Sequence, residues 1–324
     1  MKIALPKKFA LPSNKTVKGI KNEDENVKEK VELRLDRLSI TLQVKDKETQ
    51  KGILGAFYTA AGNTSEYVNL SSSGKRYKVN ISAYLGPNHS HVLYQAAPKN
   101  KKDAFVRIEF NPAKLGPAGI ADMKADLATL LPSGWDTLLN FGRITRYDIA
   151  VDLPGVPINQ VHAMSAKLMK TTVWGNGGNV ETIKFGSKKS VRQIVIYDKA
   201  KELKIKGVLP LYDPLTRVEV RVVRNCISIT ELAEMSSPLN CVELVILPPA
   251  PLGAKAYDWD NFLCRLERDG ANVALGALPP AKRAKYRKQL KLHPAKFWKP
   301  DELWASWSDE INKLGLLTPT FGEA

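Results

Sequence analysis

The sequence predicts an α+β protein made of two tandem β-α-β-β-β-α units, with antiparallel sheets around a shared groove and a basic helical region at the C-terminus. Three observations predict it. The order strand, helix, three strands, helix occurs twice; four short motifs recur in the same order in both copies; and the composition shifts after Ser236. Helices on one face of an antiparallel sheet make an α+β layer, and two such layers can set their sheets around a common groove.

Residues 1–30 hold Pro6, Pro12, many lysines and the run Lys21-Asn22-Glu23-Asp24-Glu25-Asn26 without periodic hydrophobicity, which predicts a flexible basic tail. The first unit spans 31–142. Alternation through Leu33, Leu35, Leu38, Ile40 and Leu42 gives a strand, and Leu54, Phe57, Tyr58 and Ala61 recur at helical spacing. Strands follow at Tyr77–Leu85, His91–Ala96 and Ala104–Phe110, separated by Gly, Pro and Asn turns, then a helix near Ile120–Leu131.

The second unit spans 143–236. Arg143–Asp152 is a strand that Pro154-Gly155 breaks, and Ile158, Val161, Met164 and Leu168 form the stripe of a helix. Asn176-Gly177-Gly178-Asn179 is a turn; strands follow at Glu181–Phe185, Val191–Asp198 and Leu215–Val223, and a short helix near Ser228–Met235 closes the unit. The recurring motifs are Arg34-Leu35-Asp36 with Arg146-Tyr147-Asp148, Leu85-Gly86 with Phe185-Gly186, Val92-Leu93-Tyr94 with Val195-Ile196-Tyr197, and Arg107-Ile108-Glu109 with Arg217-Val218-Glu219. In 237–324, Pro248-Pro249-Ala250-Pro251 marks a linker and Trp259–Leu266 resumes a helical pattern. Trp298, Trp304 and Trp307 belong to a packing helix.

With 49 Lys and Arg against 33 Asp and Glu, the 324-residue chain carries +16. Such a charge favours a polyanion, because each phosphate contact releases a condensed counterion. No stretch is apolar enough to span a bilayer or to serve as a secretion signal, so no membrane partner is expected and the cytoplasm is. Cys226, Cys241 and Cys264 lack CxxC spacing and read as free thiols in a reducing compartment. Cationic residues gather in two places. Lys184, Lys188, Lys189 and Arg192 surround the second unit's strands. Lys282, Arg283, Lys285, Arg287 and Lys288 fall in Ala271–Pro300, which has eight Lys and Arg and no acid. A phosphate-contacting helix is the expectation there, against the plainer reading of a solvated helix face.

The chemistry-bearing residues converge in the second unit. Asp148 and Asp152 lie four apart on one strand and so share a face, and Glu219 stands two from Arg217 and Arg221. Hard oxygen ligands on neighbouring strands suit Mg²⁺ or Mn²⁺, which needs only one or two carboxylates when water and phosphate complete its shell. Tyr197 offers a phenol that could form a covalent phosphoester, and Lys199 could lower its pKa or hold the phosphate. Each residue alone has a plainer reading: Tyr197 as a strand-end ring, the carboxylates as cross-strand ion pairs.

The ordered set Thr145-Arg146-Tyr147-Asp148-Ile149-Ala150-Val151-Asp152, Thr182–Ser190, Ile196-Tyr197-Asp198-Lys199 and Thr216-Arg217-Val218-Glu219-Val220 resembles the replication initiation factor family. That family comprises initiators of rolling-circle plasmids and filamentous phages, with related conjugative relaxases. The resemblance covers roughly Val31 to Arg224. It implies a DNA strand transferase that nicks one strand at an origin, keeps the 5′ end on a tyrosine and later rejoins it. Tyr197 would be the nucleophile, Asp148, Glu219 and, less closely matched, Asp152 the metal ligands, and Arg217 a phosphate contact. The first unit keeps Asp36, Tyr94 and Glu109 but has Gln95-Ala96 in place of Asp198-Lys199, which implies a non-catalytic copy. Implied partners are origin DNA with a hairpin or single-stranded nick site, a host helicase, and a second copy of the chain. The alternatives are a conjugative relaxase with the same chemistry and a catalytically silent, sequence-specific DNA-binding regulator on the same scaffold. His89-Ser90-His91 resembles the paired histidines of another rolling-circle nuclease class, but it follows the turn Gly86-Pro87-Asn88 and reads as a solvated hairpin.

Overall fold

A computed structural model describes residues 31–319 apart from 74, 101–102, 166, 169 and 177–178; the expected 1–30 tail lies outside the described residues. β1 (Glu32–Leu42) leads to α1 (Lys47–Gly62), whose N-cap Asp46 accepts a hydrogen bond from Thr49 N–H at 2.6 Å. The helix buries Ile53, Phe57 and Ala60, one stripe at helical spacing. β2 (Val68–Asn69), β3 (Tyr77–Leu85), β4 (Ser90–Pro98) and β5 (Val106–Phe110) follow, then α2 (Pro112–Leu130), capped by Asn111, and α3 (Gly134–Phe141). The β3–β4 turn rests directly on α2. Gly86 has φ 69°, and a Cβ there would stand 2.9 Å from Gly119 Cα, so both the turn and the close approach require glycine.

The second half runs β6 (Arg143–Pro154), β7 (His162–Met164), β8 (Thr171–Asn176), β9 (Asn179–Phe185), β10 (Arg192–Asp198), α4 (Lys199–Ile205), β11 (Leu215–Ile227) and β12 (Glu243–Val245). The helix expected from Ile158 to Leu168 does not form. A single 3-10 turn, Ile158–Gln160, precedes β7, which pairs with β12. All three β7 residues are buried, because the segment is held extended by its pairing with β12 instead of exposing one face as a surface helix would. The helix expected near Ser228–Met235 is likewise a 3-10 turn, Thr230–Leu232. The second half thus departs from the β-α-β-β-β-α order of the first.

The expected pair of sheets around a groove is instead one antiparallel sheet of ten strands, ordered β2-β3-β4-β5-β1-β6-β11-β10-β9-β8, with β7 and β12 as a separate ribbon. β1 and β6 join the halves, with Arg37 opposite Asp148. Each would otherwise expose a long unpaired edge, and pairing them removes both edges at once. The strand order reads alike outward from this joint.

One face of the sheet is apolar. Leu38, Ile40, Ile108, Ile149, Ile196 and Val220 share a core with Ile53 and Phe57 of α1, Met123 and Leu127 of α2, and Trp135 of α3. The C-terminal segment adds α5 (Ala256–Asp269), α6 (Ala271–Gly276), α7 (Pro280–Lys291), α8 (Pro300–Trp304) and α9 (Trp307–Lys313). Trp298 and Trp307 enter the main core, and their indole N–H groups donate to Val242 O (3.1 Å) and Leu232 O (2.7 Å). α5, α6 and α7 form a second core around Trp259, Phe262 and Tyr286 with Met164 and Val245 of the ribbon.

Candidate functional site

The other face of the sheet is charged, and strand register sets its order. On β11 the period of two puts Arg217, Glu219 and Arg221 on one side. Arg217 is opposite Tyr197 of β10 and Asp152 of β6; Arg221 is opposite Asp148, which is opposite Arg37 of β1. Farther along, Ser39 faces Glu109, and Arg107 faces Gln95. Directly opposed residues share a face, so one row of polar side chains crosses the joint between the halves.

This row is held by ion pairs. Arg217 clamps Asp152 through Nε–Oδ1 (2.6 Å) and Nη2–Oδ2 (2.7 Å) and reaches Asp36 at 3.1 Å. Arg146 grips Asp148 at 2.9 and 2.6 Å, and Arg221 grips Glu219 at 2.7 and 3.1 Å. Glu109 accepts from Ser39 Oγ at 2.6 Å and pairs with Arg107. Asp36 has no partner on β6 because the register shifts between Leu35 and Arg37. This bulge is what aims its carboxylate at Arg217.

A cleft of about 370 Å³ opens on the row and is lined by Tyr197, Lys199, Arg217, Glu219 and Asp148 together with Asp36, Glu109 and Glu202. The structure therefore brings together every residue expected to be catalytic and two of the three expected metal ligands. Asp152 sits just behind, buried and fully engaged with Arg217. Among the described residues, no three His, Cys, Asp or Glu side chains gather as a metal cluster.

Electrostatics differ from the expectation at the phenol. Burial pushes Tyr197 well above the usual tyrosine range, and Arg217 opposes that rise. Lys199 does not continue a strand. It begins α4, whose N-cap is Asp198, accepting from Lys201 N–H at 2.8 Å. Its ammonium pairs with Glu202 and lies 5.8 Å from the Tyr197 ring centroid. The Tyr-Asp-Lys run is thus a strand end, a cap and a first helical residue. Burial also raises Asp148, to about 6, with Arg146 pulling it down and the negative Glu219 adding to the rise.

Tyr94 is not the counterpart of Tyr197. Gln95, not Tyr94, faces Arg107 as Tyr197 faces Arg217, and its Oε1 accepts from Arg107 at 2.6 Å. Matching the tyrosines by identity slips the strand by one residue, which reverses its faces. Tyr94 is fully buried on the helix side and donates to Asp126 of α2 at 2.8 Å. The first half also contributes to the cleft: Asp36 and Glu109 line it, and so does His91, packed edge-on against Tyr84. His89 sits in the exposed turn, as expected of a hairpin.

The expected DNA-contacting residues divide. Lys184 faces Val195 and Thr172, on the charged side, and Lys188 and Lys189 are exposed in the β9–β10 turn. Arg192 lies opposite Val222, on the side of Tyr147 and Cys241, away from the cleft. On α7, Arg283 donates to the carbonyls of Leu275, Gly276 and Leu278, tying down the end of α6, and Lys282 pairs with Asp258 at 2.8 Å. Lys285, Arg287 and Lys288 are exposed, and none of them lines the cleft. Sequence reasoning missed Glu202, whose signal is its i,i+3 spacing from Lys199.

Fold and site together define an α+β protein with a phenol, two buried carboxylates and a clamped arginine on the open face of an antiparallel sheet. Sequence comparison adds similarity to proteins described as replication initiation proteins from Staphylococcus aureus. One is 32% identical over 175 residues (52% of this chain, 53% of the relative), and another is 27% identical over 173 residues (52% of each). The chain spans about half the length of the curated relatives it matches. No family model matches it. Among solved structures, a rolling-circle replication initiator protein from Geobacillus stearothermophilus aligns with a TM-score of 0.40 and 18% identity, over 74% of this chain and 98% of that one.

Proposed function

We propose that the protein initiates rolling-circle replication by nicking one strand of origin DNA through Tyr197 and later rejoining it. The observation that carries this is the placement of the Tyr197 phenol opposite Arg217 in a cleft that also holds Asp148 and Glu219. Similarity to replication initiation proteins supports the same reading.

In this reaction the phenol oxygen bonds to phosphorus, the bond from phosphorus to the 3′ oxygen breaks, and that oxygen takes up a proton to leave a 3′ hydroxyl. The 5′ phosphate stays on Tyr197, so the bond energy is kept for rejoining. Because burial keeps the phenol protonated, its proton must leave as it attacks; Glu219, Glu202 and Asp36 are the carboxylates whose charge reaches it. Arg217, fixed by Asp152, offers the phosphate a positive group already in place, which costs no reorganisation during the reaction.

Asp148 and Glu219 fit Mg²⁺ or Mn²⁺. They are buried carboxylates on adjacent strands facing one cleft, and burial with mutual repulsion makes a nearby cation favourable for Asp148. Such an ion supplies withdrawal of negative charge from the phosphodiester. Arg146 and Arg221 would orient the two ligands, and Asp152 positions Arg217 rather than the ion.

Lys184, Lys188, Lys189 and the exposed Lys285, Arg287 and Lys288 add sequence-independent affinity. A second copy would supply the second tyrosine that ends the cycle, and a host helicase would unwind the duplex beyond the nick. The test is incubation with a supercoiled plasmid carrying the replicon's origin and Mg²⁺. Open circles bearing covalent protein are expected, with the linked peptide containing Tyr197; adduct formation by Tyr197→Phe would overturn the assignment.

A further inference from the structure

The loop between α4 and β11 reverses the burial pattern of the rest of the chain. Ile205, Val208, Leu209 and Leu211 are 77%, 50%, 91% and 84% exposed, and Pro210 stands between the leucines. Single exposed apolar residues need no explanation, but four gathered on the last residue of α4 and the loop after it do.

The loop is held at its base. Gly207 N–H donates to Lys204 O at 3.0 Å and Val208 N–H to Leu203 O at 2.9 Å, which closes α4 with Gly207 at φ 72°. Lys204 pairs with Asp213 across the neck, and Gly155 N–H donates to Pro214 O at 3.0 Å. Both ends belong to the site. Glu202 and Lys206 line the cleft with Tyr197, and β11 begins at Leu215, two residues before Arg217.

We infer that this loop is a wedge, which inserts Leu209 and Leu211 into a base step of duplex DNA beside the phosphate presented to Tyr197. The inference rests on the nicking reading above and deepens it. A phosphate in a stacked, paired strand is held along the duplex backbone, whereas one in a strand that has left the stack can turn into the cleft and meet the Tyr197 phenol in line. Leucine side chains partly unstack and kink a duplex when they enter a step, and the wrapped backbone then meets more protein surface. Charge selects the occupant. Residues 199–213 carry four lysines against one Glu and one Asp on a chain of +16, so two copies meeting through this loop would oppose like charges, whereas DNA neutralises them.

The test compares wild type with Leu209→Ser/Leu211→Ser on a linear duplex spanning the replicon's nick site and on the same duplex with a mismatched bubble there. Each carries a fluorescent adenine analogue beside the scissile phosphate. The variant should cleave the intact duplex about tenfold or more slowly yet stay within about twofold on the bubble, because only the intact duplex must be opened. The fluorescence rise of wild type on the intact duplex should be lost. Equal rates for both proteins on both substrates, or an equal loss on both, would overturn the wedge. So would sedimentation showing a wild-type dimer that the variant dissociates. If wild type cleaved neither substrate the nicking reading would fail, and the fluorescence rise alone would decide the wedge: a rise that the variant lacks supports it, and no rise overturns it.

Discussion

Tyr197 and Arg217 stand directly opposite each other on β10 and β11, and the guanidinium is the strongest influence acting against the burial of the phenol. That arginine is itself fixed by two bonds to Asp152 and one to Asp36, so three strands set the position of one guanidinium.

Asp152→Ala would leave the buried Arg217 charge without its main partner. A loss of about 3–5 kcal/mol is expected, as for other broken buried pairs. Replacing both residues together, as Asp152→Leu with Arg217→Met, should cost much less. Urea unfolding of the two singles and the double measures this.

The two tyrosines should separate cleanly. Tyr197→Phe should abolish the covalent adduct while shifting stability by less than about 1 kcal/mol, since its ring packing is kept. Tyr94→Phe leaves the Asp126 carboxylate short of a donor; about 1–3 kcal/mol of stability should go, with adduct formation unchanged.

Asp148 gives the pH dependence. Its folded-state pKa, about 6, lies above the ordinary carboxylate value, so the stability it contributes is present below about pH 4 and is lost as pH rises through 6. The stability of wild type relative to Asp148→Asn should therefore fall by up to about 3 kcal/mol between pH 4 and pH 8. Nicking at limiting metal should move the other way, rising with pH, because a divalent cation binds the ionised Asp148 and not the protonated one. Denaturant melts and adduct yields across that range test both signs.

Chelation should stop adduct formation, and added Mg²⁺ or Mn²⁺ should restore it. Arg146→Ala or Arg221→Ala, which frees Asp148 or Glu219 from its orienting partner, should raise the metal concentration needed by about 10–100-fold. Metal titrations of adduct yield read this directly.

The basic helix should behave as two sets. Replacing Lys285, Arg287 and Lys288 by Ala should lower the slope of log affinity against log salt by about 3 if each meets a phosphate. Arg283→Ala should instead lower the melting temperature, because its guanidinium serves three carbonyls at the end of α6. Binding isotherms at several salt concentrations and thermal melts distinguish the sets.

The strands were legible in sequence because alternation is local, as in Leu38, Ile40 and Leu42. So were the residues of the cleft, since Asp148, Tyr197, Arg217 and Glu219 fall in short motifs on adjacent strands. The Tyr94 mismatch was not legible: motif identity carries no information on strand phase, which depends on the hydrogen-bonded partner. β7 was mistaken for a helix because Ile158, Val161 and Met164 satisfy helical spacing, while the partner that makes it a strand, Glu243–Val245, lies far along the chain. Contributions from Asp36 and Glu109 were hidden by the same distance.

The joint between β1 and β6 makes the two halves mutually dependent. Arg37 and Asp148 meet across it, and the charges around Tyr197 come from both sides. A chain severed between 142 and 143 would therefore behave as a split protein: each fragment inert alone, with activity returning only when the two reassemble along that seam.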